Sequence, residues 1–267
     1  MRLGMPRFKV TIEYAGTRYS GWQIQRNART VAGEIDRAVR DATGVREFEL
    51  YGAGRTDAGV HALAQVAHLD IRTNVPPASL LRRVNDELPA DINILRIDPA
   101  PHRFHARHDA VARTYLYQVA LRRTAFGKPF VWWVRDPLDV AAMRRAAARF
   151  EGMGDFASFT DDDPDEKSTK VAVTRVRVDE AGDLLLLRIE GSHFLWKMVR
   201  RMVGVLVAVG RGEVSARELT QFMQEPSGVP ARLTAPPSGL FLEGVTYPGD
   251  RAVPDAAPLL TLRSFGR

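Results

Sequence analysis

Cysteine is missing from this chain of 267 residues, which removes disulfides and thiolate-bound zinc. Long hydrophobic runs are missing as well. The most apolar stretches, around 184–187 and 202–209, fall far short of the ~20 residues needed to span a bilayer. Met1-Arg2-Leu3-Gly4-Met5-Pro6 leads into no apolar signal region. The expectation is a soluble cytoplasmic protein without a membrane partner. Lysine is scarce, standing only at positions 9, 128, 167, 170 and 197, so arginine supplies nearly all of the 38 cations. Acidic residues number 32, for a net charge of +6. Arginine forks bind phosphate bidentately and stack on bases, so an arginine-rich basic chain points to nucleic acid as its polyanionic partner. The hydrophobic fraction of 45% is that of an ordinary globular protein, which argues against global disorder.

The most informative segment is Gly54-Arg55-Thr56-Asp57-Ala58-Gly59-Val60-His61, which follows the strand-like Phe48-Glu49-Leu50-Tyr51. Glycines at a strand end allow a sharp turn or a close approach to a ligand. Asp57 thus sits on a tight loop beside a guanidinium, and a neighbouring cation favours an ionised carboxylate. That makes Asp57 a candidate nucleophile or base. Taken alone, the octamer reads equally as a surface turn with a local Arg–Asp pair. It is not a dinucleotide fingerprint, because Asp57 occupies the place of the third glycine, and the chain has no Walker-type Gly-Lys-Ser/Thr.

Periodicity lays out an α+β chain in two halves. Residues 8–14 alternate as a half-buried strand, Thr30 caps a helix ended by Gly44, and strands at 48–51 and about 65–71 flank the Asp57 loop. A helix at 78–88 and a strand at 92–97 complete a split βαβ arrangement. The second half offers a strand at 113–121, a helix at 139–150 and strands near 173–178 and 184–190. A helix at 195–209, a short helix at 216–224 and a strand at 240–247 follow. The boundary is placed near 107–110, giving halves 1–108 and 109–248 and a tail, 249–267, expected to be disordered in part. The polar run 160–170 is expected to be a mobile acidic loop.

Five segments share one family pattern. They are Tyr14-Ala15-Gly16-Thr17 with Gly21-Trp22-Gln23-x-Gln25; the Gly54–His61 octamer with Ala62; Phe104-His105-Ala106-Arg107 with Arg113-Thr114-Tyr115-Leu116-Tyr117; Phe194-Leu195-x-x-Met198-Val199-Arg200; and Ala235-Pro236-Pro237-Ser238-Gly239-Leu240 before a strand ending Tyr247-Pro248. In this order they resemble the tRNA pseudouridine synthase A family, from about Phe8 to Pro248. The family more often has Asp where Ala15 stands and a small residue where His193 stands; neither departure removes a catalytic group.

The resemblance implies isomerisation of uridine to pseudouridine at positions 38, 39 and 40 of the tRNA anticodon arm. It also implies a homodimer, and no metal or organic cofactor. The implied fold has two RRM-like halves joined into a continuous mixed, mainly antiparallel sheet, with helices on one side and a basic cleft between the halves. Asp57 would be the catalytic carboxylate, Arg200 its electrostatic partner, Arg55 an aid to base flipping and Tyr115 a platform for the extracted base. His105 and Arg107 would lie on a basic edge that contacts RNA.

Other readings accompany these. Arg200 stands on an apolar helix, where a guanidinium either snorkels to solvent or needs a counterion. Tyr115 and Tyr117 share one strand face, and either can be a core tyrosine. His102, His105 and His108 recur every third residue, but Arg103 and Arg107 among them make a metal site electrostatically poor. Two competing classes are an RNA-binding module without chemistry and a metal-dependent nuclease built on Asp57, His61 and His68.

Overall fold

A computed structural model describes residues 5–163, 166–251, 253 and 257–262. In chain order the elements are β1 (Arg7–Tyr14), α1 (Val31–Thr43), β2 (Phe48–Gly52), β3 (His61–Ile71), α2 (Pro77–Glu87) and β4 (Ile92–Ala100). There follow β5 (Ala112–Ala120), β6 (Trp132–Trp133), α3 (Val140–Ala147), β7 (Gly152–Asp155), β8 (Lys170–Ala181) and β9 (Leu184–Gly191). The chain then forms α4 (Met198–Gly210), α5 (Ala216–Gln224), α6 (Val229–Arg232) and β10 (Leu240–Thr246). Contacts divide it into two compact units, Met1–Val111 with Leu242–Arg251, and Ala112–Phe241 with Ala252–Arg267. The last strand therefore starts in the second unit and finishes in the first.

In the first unit β1 lies between β3 and β4, antiparallel to both, and β2 pairs antiparallel with β3. The alternation of β1 is realised as a strict in–out pattern that buries Phe8, Val10, Ile12 and Tyr14. Thr30 accepts a hydrogen bond from the Gly33 amide to start α1, and Gly44 ends it in the left-handed region at φ 72°. Val31, Ile35, Ala38 and Val39 form the buried stripe of that helix. Asn85 near the end of α2 fastens β4 with both ends of its amide, donating to the Ile94 carbonyl at 2.9 Å and accepting from the Ile94 amide at 2.8 Å.

In the second unit β9 lies between β5 and β8, and β7 closes the far side of β8, all antiparallel. A parallel pairing joins the two-residue β6 to the end of β5. Here α3 packs against α4 and β8. Helix α4 is buried on nearly every side, with Arg200 its one half-exposed residue. A helix apolar all round belongs in the middle of a core. Gly204 allows this, because a Cβ there would run into the Leu233 carbonyl.

These are α+β units, as the patterning predicts, and their sheets are mixed and mainly antiparallel, as the resemblance implies. The helix expected to begin at 195 starts at Met198, after a turn held open by Lys197. The acidic loop differs from expectation. Asp161 and Asp162 are tied down by Arg201, Lys197, Lys167 and the Trp196 amide; residues 164 and 165 lie outside the described ones. Tail residues 252, 254–256 and 263–267 likewise lie outside them, and the Leu259 amide donates to the Gln118 side chain at 2.8 Å. No helix among the described residues is long and apolar enough to cross a membrane.

Candidate active site

Asp57 sits half-buried on the loop joining β2 to β3, between exposed residues Arg55 and Ala58. Its surroundings are fixed from several sides. The buried Thr56 hydroxyl bonds the Tyr14 hydroxyl at 2.8 Å, and the Thr56 carbonyl accepts from the Trp22 amide at 3.1 Å. The Asp57 carbonyl accepts from the Val60 amide at 3.1 Å, closing a turn in which Gly59 takes φ 79°. Gly21 takes φ 92°, and a side chain there would press on the Thr56 carbonyl at 2.6 Å. The Gly16 amide donates to His61 Nδ1 at 2.9 Å, and a Cβ on Gly16 would collide with the Val60 carbonyl. The first sequence motif is thus the cradle of the second. Its glycines exist for backbone approach, and Trp22 fills the space that a side chain at Gly52 would need.

Next to this loop is a small core of Ala53, Val66, Ala106 and Tyr247, with Phe104 and Val245 packed on it. The Tyr247 hydroxyl donates to the Ala106 carbonyl at 2.7 Å, the Phe104 and Tyr247 rings lie 5.1 Å apart, and the Lys9 ammonium sits 4.1 Å from the centre of the Tyr247 ring. Phe104, Ala106 and Tyr247, quoted above as motif residues, therefore act as packing.

His105 is half-buried in a ring cluster, 4.8 Å from His68, 5.0 Å from Tyr51 and 4.2 Å from His108. Its Nδ1 accepts from the Arg107 and His108 amides, both at 3.2 Å. Burial, His108 and Arg7 hold its pKa below the ordinary histidine value. His68 is buried, accepts from the Ala106 amide at 3.2 Å, and is pushed down to about 4 by burial, Arg7 and His105. Both rings are neutral at pH 7. Arg7, which sets much of this field, forks onto the Asp70 carboxylate and reaches the Phe104 carbonyl at 2.6 Å. Arg107 is exposed.

Tyr115 and Arg200 belong to the second unit. Tyr115, half-buried on β5, meets the Phe194 ring edge-on at 5.2 Å and 87°. Tyr117 is fully buried and donates its hydroxyl to the Pro236 carbonyl at 2.8 Å; burial raises its pKa well above that of a free phenol, with Arg200 opposing. The Arg200 Nε donates to the Ala235 carbonyl at 2.8 Å, and the Ala235 amide donates back to the Arg200 carbonyl at 3.0 Å. The Ala235-Pro236 segment thus anchors both Arg200 and Tyr117.

Burial of a guanidinium on α4 falls on the next residue. Arg201 is 4% exposed, donates to the Thr160 carbonyl at 2.6 Å and to Asp161, and its Nε has no hydrogen-bond partner. Sequence reasoning missed this pair, although the signal was present as an Arg-Arg doublet on an apolar helix downstream of an acidic run. Lys197, just before α4, was missed too. It is the one described non-glycine residue at positive φ (61°), and it is ion-paired to Asp161 at 2.8 Å.

No group of three His, Asp or Glu among the described residues is placed to hold a metal ion. Of the nuclease trio, His61 is buried with its Nδ1 on the Gly16 amide, and His68 has its Nδ1 on the Ala106 amide. A shallow hollow along α2, lined by Ser79, Arg82, Arg83 and Asp86, contains none of the site residues.

A sequence profile described as tRNA pseudouridine synthase matches residues 10–109 and 146–248. Relatives named tRNA pseudouridine synthase A include one from Nitrobacter hamburgensis, 42% identical over 246 residues, covering 91% of this chain and 100% of that protein. Another from Rhodopseudomonas palustris is 40% identical over the same shares. One from Brucella ovis is 39% identical over 248 residues, covering 91% of this chain and 98% of that protein.

The chain belongs to the tRNA pseudouridine synthase A family.

It is therefore an RNA-modifying isomerase that makes pseudouridine in tRNA. A crystal structure of a Cbf5-Nop10-Gar1 complex overlaps 75% of this chain and 45% of that one, at 12% identity and a TM-score of 0.36, too slight a likeness to carry an argument.

Proposed function

We propose that the chain isomerises uridine at positions 38, 39 and 40 of the tRNA anticodon arm, with Asp57 as its catalytic carboxylate and Arg200 as its electrostatic partner. The observation that carries this reading is the Asp57 loop itself. Thr56 is held by Trp22 and Tyr14, the Gly59 amide by the Tyr19 carbonyl and the Asp57 carbonyl by the Val60 amide, so the half-buried Asp57 stands on a backbone fixed from several sides. Preorganisation of this kind suits a group that must meet a reacting atom at short range.

The chemistry asks for little else. The N1–C1′ bond breaks, the uracil turns, a C5–C1′ bond forms, the C5 proton leaves and N1 gains a proton. Product and substrate have the same atoms and the same oxidation level, so the balance needs no oxidant, reductant or co-substrate. One carboxylate suffices, whether it adds at C6, traps C1′ or removes the 2′ proton. Arg55, exposed two residues before Asp57, holds the nucleotide out of the stack, which offsets an unpairing cost of roughly a few kcal/mol. Tyr115 provides a ring face for the extracted base, worth about 1–3 kcal/mol. His105 and Arg107 form the edge that meets RNA, Arg107 through its charge and His105 as a neutral ring. The enzyme acts in the cytoplasm as a homodimer.

The test is incubation with unmodified tRNA and mapping of pseudouridine by position. Wild type should modify 38, 39 and 40. Asp57→Asn should bind tRNA with unchanged affinity and lose turnover by at least about 10³-fold. Conversion at a comparable rate by Asp57→Asn, or modification confined to another arm, overturns the proposal. Turnover that survives a strong chelator separates it from the metal-dependent nuclease.

A further inference from the structure

We infer that Asp161 is a positioning residue for this reaction: its carboxylate holds Lys197 in the left-handed conformation from which Phe194 and Arg200 take their places. The inference rests on the reading that Tyr115 and Arg200 serve the isomerisation. Lys197 has φ 61° and ψ 0° and is the residue from which α4 starts. A side chain at such an angle is uncommon and persists where its surroundings hold it. Asp161 supplies the hold. One oxygen takes the Lys197 ammonium at 2.8 Å and the other takes the Arg201 guanidinium. Lys197 precedes α4 and Arg201 lies in its first turn, so a single carboxylate staples the entry turn to that first helical turn. The next acid, Asp162, accepts from the Trp196 amide at 3.1 Å and steadies the same turn.

The two groups flanking this turn are those that matter for substrate. Phe194, three residues before Lys197, is the ring that meets Tyr115 edge-on. Arg200, three residues after it, is the cation anchored on Ala235. The φ angle of Lys197 sets the direction in which α4 leaves Phe194. Relaxation of Lys197 would move the Tyr115 platform and Arg200 relative to each other. Lys197 and Arg201 bring Asp161 below the usual carboxylate range against the opposing effect of burial, so the staple is charged throughout the neutral range.

The experiment compares wild type, Asp161→Asn, Lys197→Gly and the double variant as full chains. Steady-state turnover of unmodified tRNA is measured together with amide hydrogen exchange over residues 191–199. Asp161→Asn should lower kcat roughly tenfold, with KM within about twofold, because misplacement of reacting groups acts on the bound complex. Exchange over the segment should quicken. Glycine adopts the left-handed region without steric penalty, so the double variant should match Lys197→Gly within about twofold in kcat and in exchange. Asp161→Asn with wild-type kcat, a change in KM alone, or a double variant about tenfold slower than Lys197→Gly overturns the proposal. Lys197→Met, which leaves the Asp161–Arg201 pair intact, should reproduce the Asp161→Asn loss, and wild-type turnover by it is equally fatal. The exchange measurement needs no activity. A wild type that made no pseudouridine would sink the functional reading while leaving the staple to be judged by exchange.

Discussion

Arg200 and Ala235 hold each other twice, side chain to carbonyl at 2.8 Å and amide to carbonyl at 3.0 Å. The first bond uses Nε, the one guanidinium nitrogen that lies back along the side chain. Lysine keeps the charge and loses that geometry. Arg200→Ala and Arg200→Lys should each lower kcat by about 10²–10³-fold, the size typical of a lost electrostatic group. Normal turnover in either, measured under saturating tRNA, would refute the assigned partnership with Asp57.

Two tyrosines on one strand should give different phenotypes. Tyr117→Phe strips the Pro236 carbonyl of its donor in a buried setting, which should cost about 1–2 kcal/mol in urea unfolding. Tyr115→Ala should instead show in kinetics, lowering kcat/KM roughly 5- to 150-fold, the equivalent of one lost stacking contact. An exchange of the two phenotypes would reverse the assignment.

His68 makes stability depend on pH. Its folded pKa, about 4, lies below the unfolded value of about 6.5. As the pH falls through this interval the unfolded chain takes up a proton first. Its contribution is therefore complete above pH ~6.5 and is lost towards pH 4, amounting to about 2–3 kcal/mol by pH 4.5. His68→Asn, which can still accept from the Ala106 amide, should flatten the difference between urea midpoints at pH 7.5 and 4.5. An unchanged difference would remove His68 as its source.

Gly16→Ala should harm both stability and turnover. The added methyl meets the Val60 carbonyl, and the Val60 amide closes the Asp57 turn. A loss of about 1–3 kcal/mol is typical of overpacking, and a fall in kcat should accompany it. Full activity in this variant would show that the loop tolerates displacement.

Most elements were legible because their periods were clean. The alternation of β1, the Thr30 and Gly44 caps of α1 and the limits of α5 appear as the sequence indicates. Elements whose cause lies in tertiary contact were not legible. The two residues of β6 form a strand only because β5 offers them an edge, and the four of α6 carry no period at all. The same logic governs the site. The Asp57 loop could be located because its glycines and charges are local. The Arg201–Asp161 pair joins residues 40 apart in the chain, and the choice between Arg200 and Arg201 as the buried cation depends on which side of α4 the Thr160 carbonyl approaches. Composition made 160–170 look too polar to order. Polar residues order readily where buried cations await them.

Tyr247 comes from the end of the chain but completes the small core beside the Asp57 loop, and β10 brings it there. A ribosome making this protein finishes residue 111 roughly ten seconds before it reaches that tyrosine. Until then the Ala106 carbonyl lacks its phenol donor and the edge of β3 has no β10 beside it. The packing beside the Asp57 loop is thus completed by a residue 141 positions after the carbonyl it meets, and a chain cut short before β10 would leave that core open.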